Sequence, residues 1–157
     1  MHKLYTLWYI QNESHTQTLM LYRNRKKNDI SQGKRNGVWG KIEIWESPDQ
    51  CIIREIKEET WLDVLDMSIK GIITAPNFDW SGDDFVIFVY RIDRWTGELI
   101  DCLEWELHWI DNDQILQLNT WEWDKVFIPL VYQSGVFSIY QNYQNWYYLW
   151  GDLKHYQ

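Results

Sequence analysis

Residues 47–60 constrain the fold of this chain more than any other stretch. Ser47 suits an N-cap, Pro48 the first helical position, and Gln50 stands at capping-box spacing from Ser47, so a helix is predicted from there to about Thr60. On that helix Glu55, Glu58 and Glu59 fall at i, i+3 and i+4 and project within about 100° of one face. Ile52, Ile53 and Ile56 fill the adjoining arc, which predicts an apolar anchor against a sheet. Like charges at this spacing repel. Water and salt compensate them on an ordinary solvated face; a divalent cation does so in a metal site. Carboxylate oxygens are hard ligands that suit Mg2+ or Mn2+, and Mg2+ commonly shares its shell between carboxylates and substrate phosphates.

The remaining pattern supplies the sheet. Strands are predicted over residues 4–10, 18–22, 69–74, 85–92 and 106–110, helices over 113–118 and 123–132, and a closing hairpin over 136–140 and 147–153. A polar loop over 23–36 carries Arg23, Arg25, Lys26, Lys27, Lys34 and Arg35. Strands mixed with two or three helices indicate an α+β fold, an α/β/α sandwich. With 157 residues and neither a linker nor a repeat, one domain over 1–157 is expected.

A formal net charge of −8 argues against a surface that grips polymeric nucleic acid, though not against a mononucleotide whose phosphates a metal can neutralise. The first ten residues hold only a short apolar run without a cleavage-site pattern, so a soluble, cytoplasmic chain without a membrane partner is expected. Cys51 and Cys102 form no CxxC unit and read as structural thiols. The four histidines are scattered without ligand spacing.

The series Gly40-x5-Glu46-x7-Arg54-Glu55-Ile56-x-Glu58-Glu59-x-x-Leu62 resembles the Nudix box, G-x5-E-x7-R-E-U-x-E-E-x-G-U with U aliphatic. It departs from the box at one fixed position, where Trp61 replaces glycine. The resemblance implies the Nudix fold, a mixed sheet flanked by helices, with a loop-helix-loop that holds divalent metal against a pyrophosphate. By that analogy Glu55, Glu58 and Glu59 ligate metal, Gly40 offers its carbonyl, and Arg54 pairs with Glu46. Glu55 or Glu59 would deprotonate the attacking water, since the family uses no single fixed base. The implied cofactor is Mg2+, with Mn2+ as an alternative. The implied partner is a small-molecule nucleotide, and the chain is expected to be a monomer or homodimer.

Outside the box the chain is similar to the MutT-type subgroup, which hydrolyses oxidised purine nucleoside triphosphates. Leu4-Tyr5-Thr6-Leu7 resembles its first strand, and Lys34-Arg35-Asn36-Gly37 its basic-Asn-Gly entry to the box. The resemblance implies that Asn36 bonds the base, Arg23 and Lys41 face the substrate, and Glu104 adds a further metal-site carboxylate. Trp121 would stack on the purine while Asp124 reads its edge, an aromatic plane and a carboxyl that together discriminate among purines. Each residue also has an ordinary reading: Trp121 as core, Asp124 as a helix-start residue, Asn36 as a turn former. Three functions stay open. They are hydrolysis of an oxidised purine nucleoside triphosphate, hydrolysis of another nucleoside diphosphate linkage such as a dinucleotide or nucleotide sugar, and nucleotide binding by a catalytically impaired Nudix fold. A carbohydrate-binding module would explain many tryptophans but not the glutamate spacing.

The tryptophans themselves are anomalous, 12 against 8 glycines, where glycine alone is ordinarily about 7% of a chain. Trp39, Trp45 and Trp61 stand where the Nudix box and its approach carry glycine; Trp105 and Trp123 fall at similar places, and Trp146 follows Asn145 where Asn-Gly would make a hairpin turn. Trp61 in particular falls just past the helix, where φ > 0 is expected. A UGA codon that the cell reads as glycine, written as tryptophan under another code, produces this pattern; a diverged protein with genuine tryptophans is the competing account.

Overall fold

β1 (His2–Gln11) organises the sheet, because from Thr6 onward every residue is buried and alternate side chains enter opposite layers. Along one edge it runs parallel to β6 (Asp84–Thr96), from His2 opposite Asp84 to Ile10 opposite Ile92. Its other edge forks: Ile10 and Gln11 pair with β2 (Gln17–Tyr22), whereas Tyr5 to Trp8 pair antiparallel with β4 (Val38–Lys41). β3 (Arg35–Asn36) and β7 (Glu106–Asp111) flank β2. Beyond β6 follow antiparallel β5 (Asp63–Ala75), then β8 (Val136–Gln144) parallel to β5, and β9 (Tyr147–Tyr156) at the edge. This is the computed structural model of the chain, and it describes residues 1–22, 35–78, 80–100, 106–145 and 147–157, with residues 35 and 36 as backbone.

One helix lies on each face of this mixed sheet, as the α/β/α expectation requires. α1 (Pro48–Thr60) has the predicted capping box, with the Ser47 hydroxyl accepting from Gln50 N–H and the Gln50 side chain accepting from Ser47 N–H. It buries Ile52 and Ile56 among Trp8, Ile10, Leu21 and Ile92, each isoleucine contributing about 2 kcal/mol of apolar burial. Ile53 does not join them: it is exposed, because the buried arc is narrower than the run of isoleucines. The Tyr90 hydroxyl of β6 donates to Asp49 and ties the first turn to the sheet. Past the last turn Trp61 takes the expected left-handed conformation, φ 65°.

α2 (Asp124–Val131) covers the other face, packing Phe127, Ile128 and Val131 over Tyr9, Val89 and Phe137. Phe137 crosses β5 over Gly71, where a Cβ would lie 2.2 Å from the phenyl ring. Two expectations change. The helix predicted over 113–118 is a single 3-10 turn, Ile115–Gln117, because only Ile115 is buried and no side chain caps its start. The polar loop ends earlier than expected, since residues 35 and 36 pair with β2. Among the described residues no helix is long and apolar enough to cross a membrane.

Candidate active site

Strand β4 positions the site because its alternation sends neighbouring residues to opposite faces of the sheet. Gly40 faces α1, where a Cβ would sit 2.4 Å from Glu55 Cγ and 2.9 Å from Thr6 Oγ1. Only glycine lets the Glu55 carboxylate lie against this strand. Trp39 faces the other way, edge-on to Tyr5 and Trp123 and beside Phe78. One strand therefore borders an acidic cluster on one side and an aromatic cluster on the other.

The acidic cluster is built around Arg54. Its Nε and Nη2 donate to the two Glu46 oxygens at 2.7 and 2.9 Å, the fork geometry in which an arginine–carboxylate pair is strongest. Nη2 also donates to the Lys41 carbonyl at 3.1 Å, and Nη1 to Glu55 at 2.8 Å and Glu58 at 3.3 Å. Glu46 accepts Glu43 N–H as well, so the loop before α1 is closed by its own carboxylate. The Arg54 hydrogen bonds hold the Glu46 carboxyl down to about 2. Glu55 shifts the opposite way: burial raises it, with the Glu58 and Glu46 charges adding to that and Arg54 opposing it. Glu59 is half-buried beside them, and the Lys41 side chain is exposed.

This set fits a divalent cation. Glu55 is a partly desolvated carboxyl that arginine alone does not stabilise, and its side chain lies against the Gly40 backbone. Glu55, Glu58 and Glu59 offer hard oxygen atoms to Mg2+ or Mn2+. Among the described residues no three acidic, thiol or imidazole groups converge on one point; two of the three glutamates are instead drawn to the Arg54 guanidinium. Cys51 lies behind them, its thiol 3.3 Å from Thr6 Oγ1 and pushed by burial up to about 11, an unreactive structural thiol.

On the opposite face Trp121 stacks on Trp123 with ring centroids 6.2 Å apart, and Asp124 begins α2 buried nearby. Burial and the Asp124 charge both raise the Tyr9 phenol, and the same two causes, with Tyr148, raise Tyr143. Sequence reasoning missed these two tyrosines, because only the pairing of distant strands brings them to Asp124. Asn36 lies in β3 opposite Leu21, and its side chain is outside the described residues. Arg23, Glu104, Trp105 and Trp146, with Cys102, also lie outside them. Of the other anomalous tryptophans, Trp45 takes φ 70° and Trp61 φ 65°. Trp39 and Trp123 have no such backbone; they are packed into the aromatic cluster.

The NUDIX domain matches residues 1–131. An oxidized purine nucleoside triphosphate hydrolase of Danio rerio is 31% identical over 121 residues, covering 76% of each chain. The uncharacterized Nudix hydrolase YvcI of Bacillus subtilis is 31% identical over 96 residues, 57% of this chain and 61% of that one. Among solved structures, the MutT protein from Bacillus halodurans superposes with a TM-score of 0.81 over 96% of this chain and 97% of its own, at 24% identity.

Proposed function

The chain belongs to the NUDIX family of hydrolases, and from that premise we propose that it hydrolyses an oxidised purine nucleoside triphosphate to the monophosphate and pyrophosphate, using Mg2+. The observation that carries the reading is the Arg54 guanidinium, which grips Glu46 bidentately while bonding Glu58 and Glu55, the latter held beside Gly40. Geometry of this kind fixes carboxylates before the substrate arrives, so little reorganisation is needed during the reaction.

A bound divalent cation would offset the phosphate charge and acidify the attacking water. The chain's own residues do the rest. Glu55, Glu58 and Glu59, with the Gly40 carbonyl and Glu104, would hold the cation, and Glu55 or Glu59 would take the water's proton. Arg54 and Glu46 are positioning residues that keep the helix and its preceding loop in register. Arg23 and Lys41 attract the phosphates, Trp121 offers its ring to the purine, and Asn36 and Asp124 read the base edge. In a cytoplasmic setting this reaction removes damaged nucleotides before a polymerase uses them, a DNA-repair role.

One observation favours a binding-only role: among the described residues no three acidic, thiol or imidazole groups converge to hold a metal. The test is pyrophosphate release from 8-oxo-dGTP against dGTP, with and without Mg2+. Metal-dependent turnover that prefers the oxidised nucleotide supports the proposal. Equal turnover of both would refute the oxidised-purine assignment. Binding without turnover would establish the module instead.

A further inference from the structure

Among the described residues β9 is an edge strand with one paired side, and most of its side chains are exposed. Trp150, Asp152, Lys154 and Tyr156 share the face on which Tyr140 and Val136 of β8 lie opposite Asp152 and Tyr156. α1 packs on this face further along the sheet, against β1, β4 and part of β5, and leaves Ile72, Val136, Tyr140, Trp150 and Tyr156 exposed. A long, aromatic, exposed edge of this kind is a template for another strand, and such edges are ordinarily blocked or paired.

We propose that β9 pairs antiparallel with β9 of a second copy of this chain, joining two sheets across a two-fold axis. The axis must stand perpendicular to the sheet, because only then does each strand exchange with its antiparallel partner. Residues opposite each other must also share a face, so the paired numbers sum to an even value. Three registers bring the charged residues to the centre. Centring on Asp152 sets that carboxylate against its own copy, and centring on Lys154 does the same for the ammonium groups. Centring on Leu153 sets Asp152 against Lys154 twice and Trp150 against Tyr156 twice, opposite charges and aromatic pairs that each favour a cross-strand contact. Among the described residues Asp152 and Lys154 have no ion-pair partner within the chain, so both charges are available to the second copy.

Charge reversal tests this register, on exposed side chains remote from the glutamate helix. Sedimentation velocity over a concentration series is expected to show a dimer that dissociates on dilution. D152K places Lys against Lys154, and K154D places Asp against Asp152; each is expected to weaken self-association more than about tenfold. Mixed in equal amounts, the two variants become complementary at both contacts and are expected to recover the dimer. Circular dichroism checks that each variant is folded. A wild-type chain that stays monomeric throughout the series overturns the proposal. So does a dimer indifferent to both reversals, or a mixture that fails to recover association.

Discussion

At the scale of single residues, Trp45 and Trp61 are the least comfortable positions near the site. Both hold left-handed backbone, and their indoles are 98% and 58% exposed, so little packing offsets the conformation. A side chain with a Cβ costs about 1–2 kcal/mol there relative to glycine. Trp61 recovers part of this, because Lys57 lies 5.8 Å from its ring. W45G and W61G are therefore each expected to stabilise the chain by about 1 kcal/mol in urea melts, whereas W123G, which empties a buried contact, is expected to cost about 3 kcal/mol or more. The coding sequence is expected to carry UGA at 39, 45 and 61, and UGG there would leave genuine tryptophans, strained at 45 and 61. Glu58 is the opposite case, a carboxylate 60% exposed that contributes little to folding. E58Q is expected to lower turnover on the order of 100-fold with an unchanged melting temperature; full activity in that variant would refute its metal assignment.

At the scale of elements, what was legible in the sequence was what local chemistry decides. Helix α1 could be read from its cap, its proline and its apolar arc, because all three act within a few residues of each other. The left-handed residue at its end could be read for the same reason. Strand β4 could not: Val38-Trp39-Gly40-Lys41 has no alternation of its own and becomes a strand only by pairing with β1. The 113–118 segment looked helical but lacks a cap and a second buried residue. The tie between Glu46 and Arg54 was expected from the family pattern, and its consequence follows from the pKa shift. Glu46 titrates near 2 in the folded chain, below its ordinary 4.5. The stability it contributes is thus complete above about pH 4.5 and is lost as pH falls toward 2. Glu55, shifted upward, opposes this, because its neutral form is the one the fold favours at low pH. In denaturant melts across that range E46Q is expected to be less stable than wild type at neutral pH and to converge with it in acid. A constant gap between the two at every pH would show that the carboxylate charge is not what holds the loop.

At the scale of the whole molecule, the sheet separates two kinds of chemistry that the proposed reaction needs together. The carboxylates sit with α1 on one face, and Trp121, Asp124, Tyr9 and Tyr143 sit with α2 on the other. β4 is the link, since Gly40 meets Glu55 while the adjacent Trp39 meets Trp123. A defect on one side of that strand should then leave the other side able to bind. G40A is the sharpest probe, because its methyl would lie 2.4 Å from Glu55 Cγ and must displace that side chain. The fold should absorb it at about 1–3 kcal/mol, the usual cost of local overpacking. Turnover is expected to fall at least about 100-fold, since the carboxylate moves by a large fraction of an ångström from its set position. In the proposed reaction the product is a nucleoside monophosphate, which would need the Trp121 face more than the carboxylates. Its affinity, followed by quenching of tryptophan fluorescence, is expected to stay within about threefold of wild type. If turnover and product affinity fell together in a folded variant, the two faces would be one coupled site, and the division of labour across β4 would be wrong.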